Sequence, residues 1–175
     1  MITARLHGRL GNQMFQYAAA AGLAARHGVP VALGMRSAVL NGEGVPTRVF
    51  NLDLADPTKL PPLKQNSPLR YALWRGLGSA PRFRREQGLG YNLDIESWED
   101  GTYLHGYWQS EKYFSHIKDQ IREAFVFPDF SNTANADMAE RIAGSNAISL
   151  HVRRGDYLTF AAHVLCDQAY YEAAL

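Results

Sequence analysis

The first 33 residues predict a strand, a glycine-containing loop, a helix and a second strand, and this succession most constrains the fold. Ile2 to Leu6 is a short apolar run that predicts a strand, and Gly8 to Asn12 predicts a tight loop. Apolar residues at helical spacing predict a helix from about Gln13 to His27, followed by a strand at Val31 to Leu33. We therefore expect an α/β protein whose parallel sheet begins a doubly wound fold.

Charge and cysteine content narrow the possible functions. The 175 residues include 18 Lys or Arg and 17 Asp or Glu, so the formal net charge is +1. That balance creates no global field for nucleic acid, and any anion site must be local. The single cysteine, Cys166, excludes an internal disulfide framework. With no apolar targeting segment in view, we expect a cytoplasmic protein, in solution or peripheral at the membrane.

Further elements follow from local patterns. We predict strands at residues 48–52, 102–107 and 147–152. We predict helices at residues 69–77, 111–125 and 137–143, with a last one that Asp167 caps. Ser110 is expected to cap the helix over 111–125. Arg82, Arg84 and Arg85 form a small basic cluster, which we interpret as a solvated surface.

The strongest chemical signal lies at the carboxyl end of the predicted strand 147–152. Ligands bind at this end of the strands in open α/β sheets. His151, Arg153 and Arg154 suit a diphosphate there, since each guanidinium can donate two hydrogen bonds to phosphate oxygens. Asp156 can hold one guanidinium in place. A surface salt bridge beside a core strand explains the same residues equally well.

The loop Gly8-Arg9-Leu10-Gly11-Asn12-Gln13 is the second signal. Its glycines permit close backbone approach, and the start of the following helix attracts anions. The loop lacks the third glycine of a dinucleotide fingerprint and the Gly-Lys-Ser/Thr of a P-loop, so a simple tight turn also explains it. The sequence has no Asp-x-Asp pair and no zinc-ligand spacing, and we expect neither a metal nor a cofactor.

Three segments together resemble the alpha-1,2-fucosyltransferase family, glycosyltransferase family 11. Residues 5–18 read Arg-Leu-His-Gly-Arg-Leu-Gly-Asn-Gln-Met-Phe-Gln-Tyr-Ala, which is similar to the start of that family. Residues 106–114 resemble its Gly-Tyr-Trp-Gln-Ser block. Residues 151–157 resemble its His-x-Arg-Arg-x-Asp motif. The segments stand in the order of the family and extend over the chain.

The resemblance implies a GT-B-type glycosyltransferase, with two Rossmann-like domains and the donor held between them. It implies inverting, metal-independent transfer of L-fucose from GDP-fucose to a hydroxyl of a galactose-containing oligosaccharide, a galactoside 2-alpha-L-fucosyltransferase activity. It implies that Arg153 binds the donor diphosphate, with His151 and Arg154 lining the site and Asp156 orienting an arginine. The phosphates would be approached from the N-terminal domain by two residues of the glycine loop, Gly11 and Asn12.

The family pattern also predicts the domain organisation. Residues 1–144 correspond to the N-terminal, acceptor-side domain, and residues 145–175 correspond to the start of the donor domain. We therefore expect a truncated member of the family, with only the first strand and helix of its second domain and a tendency to self-associate. The alternative is a catalytically inactive remnant that binds a glycan or a partner weakly.

Two roles stay open at this stage. An inverting transfer needs a base near the acceptor hydroxyl, and His105, Asp53 and Glu111 are the candidates. The aromatic residues around Trp108 are interpreted as core and helix-docking residues rather than a platform for a sugar ring.

Overall fold

The first of two units is built on a sheet of parallel strands. The computed structural model describes residues 1–40, 42, 44–56, 67–77, 82–88, 90–152 and 166–174. The chain divides into Met1–Pro128 and Asp129–Leu175. In the first unit the described strands are β1 Ile2–Arg5, β2 Val31–Gly34, β3 Arg82–Arg85 and β4 Thr102–His105. They lie in the order β2-β1-β4-β3, and every pairing is parallel. This mixed α/β arrangement fits a Rossmann-like domain.

Helix α1, Leu10–His27, connects β1 to β2 and confirms the predicted opening. Its alanine-rich sequence favours the helix, because alanine has the highest helix propensity. The helix ends at Gly28, which adopts the left-handed conformation at φ 60° and donates its N–H to the carbonyls of Ala24 and Ala25. The buried face of α1 covers the sheet. The glycine loop lies at the carboxyl end of β1 because it joins this strand to α1.

The remaining helices confirm part of the prediction. The first unit contains α2 Arg36–Leu40, α3 Pro68–Gly76 and α4 Lys118–Ala124, and the second contains α5 Thr133–Ala143 and α6 Gln168–Ala174. Helix α5 begins four residues earlier than predicted, because the Asn132 side chain accepts hydrogen bonds from the Ala134 and Asn135 N–H groups. The predicted cap of α6 is confirmed, since the Tyr170 N–H donates to Asp167 Oδ1 at 2.9 Å.

Two predictions in the first unit are wrong. The predicted strand 48–52 is absent, and a 3-10 helix covers Pro46–Arg48 instead. Its first residue is a proline, whose fixed φ favours the start of a helical turn. The predicted helix 111–125 is broken at Phe114 into the 3-10 turns Glu111–Tyr113 and Ser115–Ile117, followed by α4. The Ser110 side chain caps the first turn, as expected, by accepting from the Lys112 N–H.

The predicted strand 147–152 is also not formed. These residues have no regular secondary structure, and the side chains of Ile148, Leu150 and Val152 are all exposed. A strand is stabilised by hydrogen bonds to a neighbouring strand. The described residues of the second unit form no strand with which this segment could pair.

Close packing between α1 and the Tyr113 turn explains why the helix breaks there. A Cβ at Gly22 would stand 2.2 Å from the Tyr113 carbonyl oxygen, so α1 carries glycine at the point of contact. Tyr113 is 1% exposed and packs edge-on against the fully buried Trp108, whose ring lies in turn against Trp98. The interpretation of the aromatic residues around Trp108 as core is confirmed for Tyr103, Trp108 and Tyr113, but it is wrong for Tyr107, which is 40% exposed.

Candidate active-site edge of the parallel sheet

The carboxyl ends of β1 and β4 bring together polar side chains that lie about 100 positions apart in sequence. The strands are direct neighbours, with Thr3 paired to Tyr103 and Ala4 to Leu104. Arg5 therefore lies beside His105, and its Nη1 is 3.4 Å from His105 Nε2. Two residues beyond each strand stand His7 and Tyr107, whose rings are 4.6 Å apart. We name Arg5, His7, His105 and Tyr107 the edge cluster.

Two buried glutamines of α1 hold the glycine loop in place. Gln16 is fully buried; its Oε1 accepts from the His7 N–H at 3.1 Å, and its Nε2 donates to the His7 carbonyl at 3.0 Å. Gln13 is also fully buried, and its Nε2 donates to the carbonyls of Gly8 and Gly44 at 2.7 Å each. The two glutamines of the Gln-Met-Phe-Gln sequence thus fix the backbone that enters α1 through their hydrogen bonds.

The segment around Trp108, residues 106–114, contacts the glycine loop directly. Asn12 Oδ1 accepts a 2.7 Å hydrogen bond from Gln109 Nε2, which links the start of α1 to the segment after β4. The Glu86 carboxylate, just after β3, accepts from the N–H groups of Tyr107 and Trp108 at 2.6 and 2.9 Å. Trp108 has a φ of 56°, an unusual conformation that these hydrogen bonds and the burial of its ring hold. The loop after β4 is therefore rigidly positioned.

His105 is kept neutral at physiological pH. Burial, and then the positive charge of Arg5, lower the pKa of His105 from 6.5 to about 4. A guanidinium only donates hydrogen bonds, so the contact with Arg5 requires His105 Nε2 to accept and Nδ1 to carry the proton. The lone pair of the imidazole is thus directed at Arg5. This arrangement orients a cation at the sheet edge.

The pKa of His105 predicts a pH dependence of stability. Between pH 4 and 6.5 the unfolded chain binds a proton at His105 that the folded chain does not. The contribution of this residue to the free energy of unfolding is therefore complete above pH 6.5 and is lost as the pH falls toward 4. We expect His105→Gln to flatten the rise of stability with pH in this window. Urea unfolding at a series of pH values measures the free energy of unfolding. Equal slopes of this free energy against pH in the wild type and the variant would contradict the prediction.

The predicted site residues fall into different parts of the chain. Gly11 and Asn12 lie in the first turn of α1, and apart from the adjoining helix backbone no described atom lies within 4 Å of the position that a Gly11 Cβ would take. His151 is exposed in the second unit. Arg153, Arg154 and Asp156 lie outside the described residues, and their predicted roles stay predictions.

The three candidate bases are also dispersed. His105 belongs to the edge cluster, whereas Glu111 is exposed in the turn after it. Asp53 lines a cavity of about 480 Å³ beside Tyr17 and Ile121, and no residue of the edge cluster lines that cavity. Among the described side chains, no group of three His, Cys, Asp or Glu residues is arranged to hold a metal ion.

Sequence reasoning missed Arg5, His7, Gln16 and Glu86 as contributors to this edge. One local signal was available for Arg5 and His7, because they end the first predicted strand immediately before the glycine loop. No local signal pointed to Glu86, since its role depends on β3 lying beside β4.

Comparison with known proteins agrees with the resemblance found in the sequence. Residues 90–175 match the family described as Glycosyl transferase family 11. The chain is 31% identical over 185 aligned residues to an alpha-1,2-colitosyltransferase of Escherichia coli, in a match that covers 98% of this chain and 61% of the relative. The chain thus spans about three fifths of the length of that relative. No solved structure matches. Residues 90–175 are thus similar to glycosyl transferase family 11, and the match to the colitosyltransferase extends the similarity over the rest of the chain.

Proposed function

We propose that this protein is a glycosyltransferase that moves L-fucose from GDP-fucose to a hydroxyl of a galactose-containing oligosaccharide, with inversion and without a metal. Similarity to glycosyl transferase family 11 is the observation that carries this proposal. The relative named alpha-1,2-colitosyltransferase supports an alpha-1,2 linkage. We further propose a GT-B architecture, with residues 1–144 corresponding to its N-terminal domain and residues 145–175 to the start of its donor domain.

The start of α1 supports a role in binding the donor phosphates. The first turn of the helix carries no acidic side chain, and the first backbone N–H groups of a helix have no partner within it. These groups attract anions. The open space at Gly11 leaves the backbone accessible to a phosphate. We assign Gly11 and Asn12 to the donor phosphates on this basis.

The leaving GDP gains negative charge during transfer, and fixed cations and N–H dipoles can stabilise it without a metal. In the second unit, the residues proposed for this task are His151, Arg153, Arg154 and Asp156. In the first unit, Arg5 is a cation at the carboxyl edge of the sheet. Because His105 accepts a hydrogen bond from Arg5, we propose it as a positioning residue for that cation rather than as the acceptor base.

Two sugars, L-fucose and colitose, are candidates for the group that is transferred. The family resemblance favours L-fucose, and the relative named for colitose favours that sugar. Colitose is L-fucose without the 3-hydroxyl, so a site that hydrogen-bonds this hydroxyl would discriminate strongly between the two.

Calorimetric titration with GDP-fucose and with GDP-colitose tests the proposal. We expect one donor to bind the wild-type chain and Gly11→Ala to weaken that binding about tenfold, or about 1.4 kcal/mol. The added methyl would obstruct a phosphate, yet among the described residues it meets no atom within 4 Å outside the adjoining helix backbone. Gly76→Ala is the matched control, since this helix glycine also has open space around it.

Binding should be followed by an assay of transfer to lactose, read as GDP release. Binding without transfer would favour the inactive remnant that binds without turnover. A folded chain that binds neither donor would contradict the proposal for this polypeptide.

A further inference from the structure

Positive charge is concentrated in one part of this nearly neutral chain. Residues 57–85 contain five arginines, two lysines and no acidic residue, although the whole chain carries a net charge of only +1. The described residues of this stretch form α3 and the edge strand β3. This stretch therefore favours contact with an anionic surface, separately from the donor phosphates proposed at the start of α1.

Helix α3 presents a row of exposed leucines beside this charge. Leu69, Leu73 and Leu77 are 71%, 56% and 76% exposed. They follow one another at intervals of four residues, so they lie on one face of the helix and its last turn. We name these three residues the leucine face. Arg70 is exposed next to Leu69 on the same helix, and α3 contains no acidic residue. Arg75 is also exposed, but its guanidinium lies over the Phe83 ring, 5.2 Å from the ring centre.

Aromatic contacts hold the opposite side of α3 against the sheet. The rings of Tyr71 and Trp74 pack against Phe83 of β3, with centroids 6.3 and 5.5 Å away. Phe83 packs in turn on Tyr103 of β4 at 4.9 Å. Because Tyr71 and Trp74 face the sheet, the leucine face is directed away from it.

We propose that α3 attaches the protein to the surface of an anionic lipid bilayer. An interfacial helix places leucines among the lipid chains near the headgroups, while its arginines remain at the anionic surface. Nucleic acid would pair with the arginines and leave the leucines exposed to water. Within the described part of the chain, no helix is long and apolar enough to cross a bilayer, so the attachment is peripheral.

Sedimentation with lipid vesicles tests this attachment without any assay of transfer. One set of vesicles contains phosphatidylcholine alone, and the other contains equal parts of phosphatidylcholine and phosphatidylglycerol. We expect binding to the anionic vesicles, with the partition coefficient lowered by about tenfold or more in Leu69→Gln/Leu73→Gln. Leu93→Gln is the matched control, because Leu93 is 69% exposed in a different element and its replacement should leave binding unchanged.

A second variant tests the electrostatic contribution to vesicle binding. Arg70→Gln should lower binding to anionic vesicles by about fivefold, with a smaller effect at high salt. Thermal unfolding of each variant verifies that it is folded. Equal binding to neutral and anionic vesicles, an equal loss in Leu93→Gln, or no binding at all would overturn the proposal. A wild-type dimer that the leucine variant converts to a monomer, without vesicle binding, would assign the leucine face to self-association instead.

Discussion

Gly22→Ala is expected to lower the free energy of unfolding by about 2 kcal/mol or more. A Cβ at this position would stand 2.2 Å from the Tyr113 carbonyl oxygen and 3.1 Å from the Phe114 Cα. Both are backbone atoms, so relief requires the turn after β4 to move away from α1. The intrinsic gain in helix propensity, about 1 kcal/mol for alanine over glycine, is too small to offset that clash.

Gly11→Ala is the matched control for this substitution, because the same change in the same helix meets open space. Its stability should be unchanged or slightly higher. Urea unfolding of both variants and the wild type measures the difference. If the two variants had equal stability, the close contact between α1 and the Tyr113 turn would be wrong. Gly11→Ala thereby also separates a loss of donor binding from a loss of folding.

Arg153→Ala is expected to reduce transfer about a hundredfold and to weaken donor binding correspondingly. A charge-assisted contact to phosphate contributes a few kcal/mol, and each 1.4 kcal/mol corresponds to about tenfold in rate. The measurement is the initial rate of GDP release, together with calorimetric titration of the donor. This prediction depends on the family motif, since Arg153 lies outside the described residues.

Arg141→Ala provides the control for the charge. Arg141 is an exposed arginine in the last turn of α5, and its replacement changes the net charge equally. Its activity should match that of the wild type. Wild-type activity in Arg153→Ala would remove the basis for assigning the diphosphate to the His-x-Arg-Arg-x-Asp motif.

Local patterns predicted well where neighbouring residues alone decide the structure. The β1-α1-β2 opening, the cap at Asp167 and the helix over 69–77 all depend on propensity, short-range periodicity or capping. The same reasoning failed at 147–152, where an alternating pattern requires a neighbouring strand and the described residues of the second unit form none. It failed at Phe114 because close approach to Gly22, far away in sequence, breaks the helix.

The sequence by itself indicated the resemblance to glycosyltransferase family 11, through three motifs whose residue types and order are recognisable without coordinates. It also determined the strand–loop–helix unit that places Gly11 and Asn12 at a helix start. Only the tertiary structure decided that Arg5 meets His105 and that Glu86 holds the loop after β4. Both depend on the strand order β2-β1-β4-β3. Strand order is set by the burial of whole faces of the sheet and helices, a long-range free energy that local periodicity does not contain.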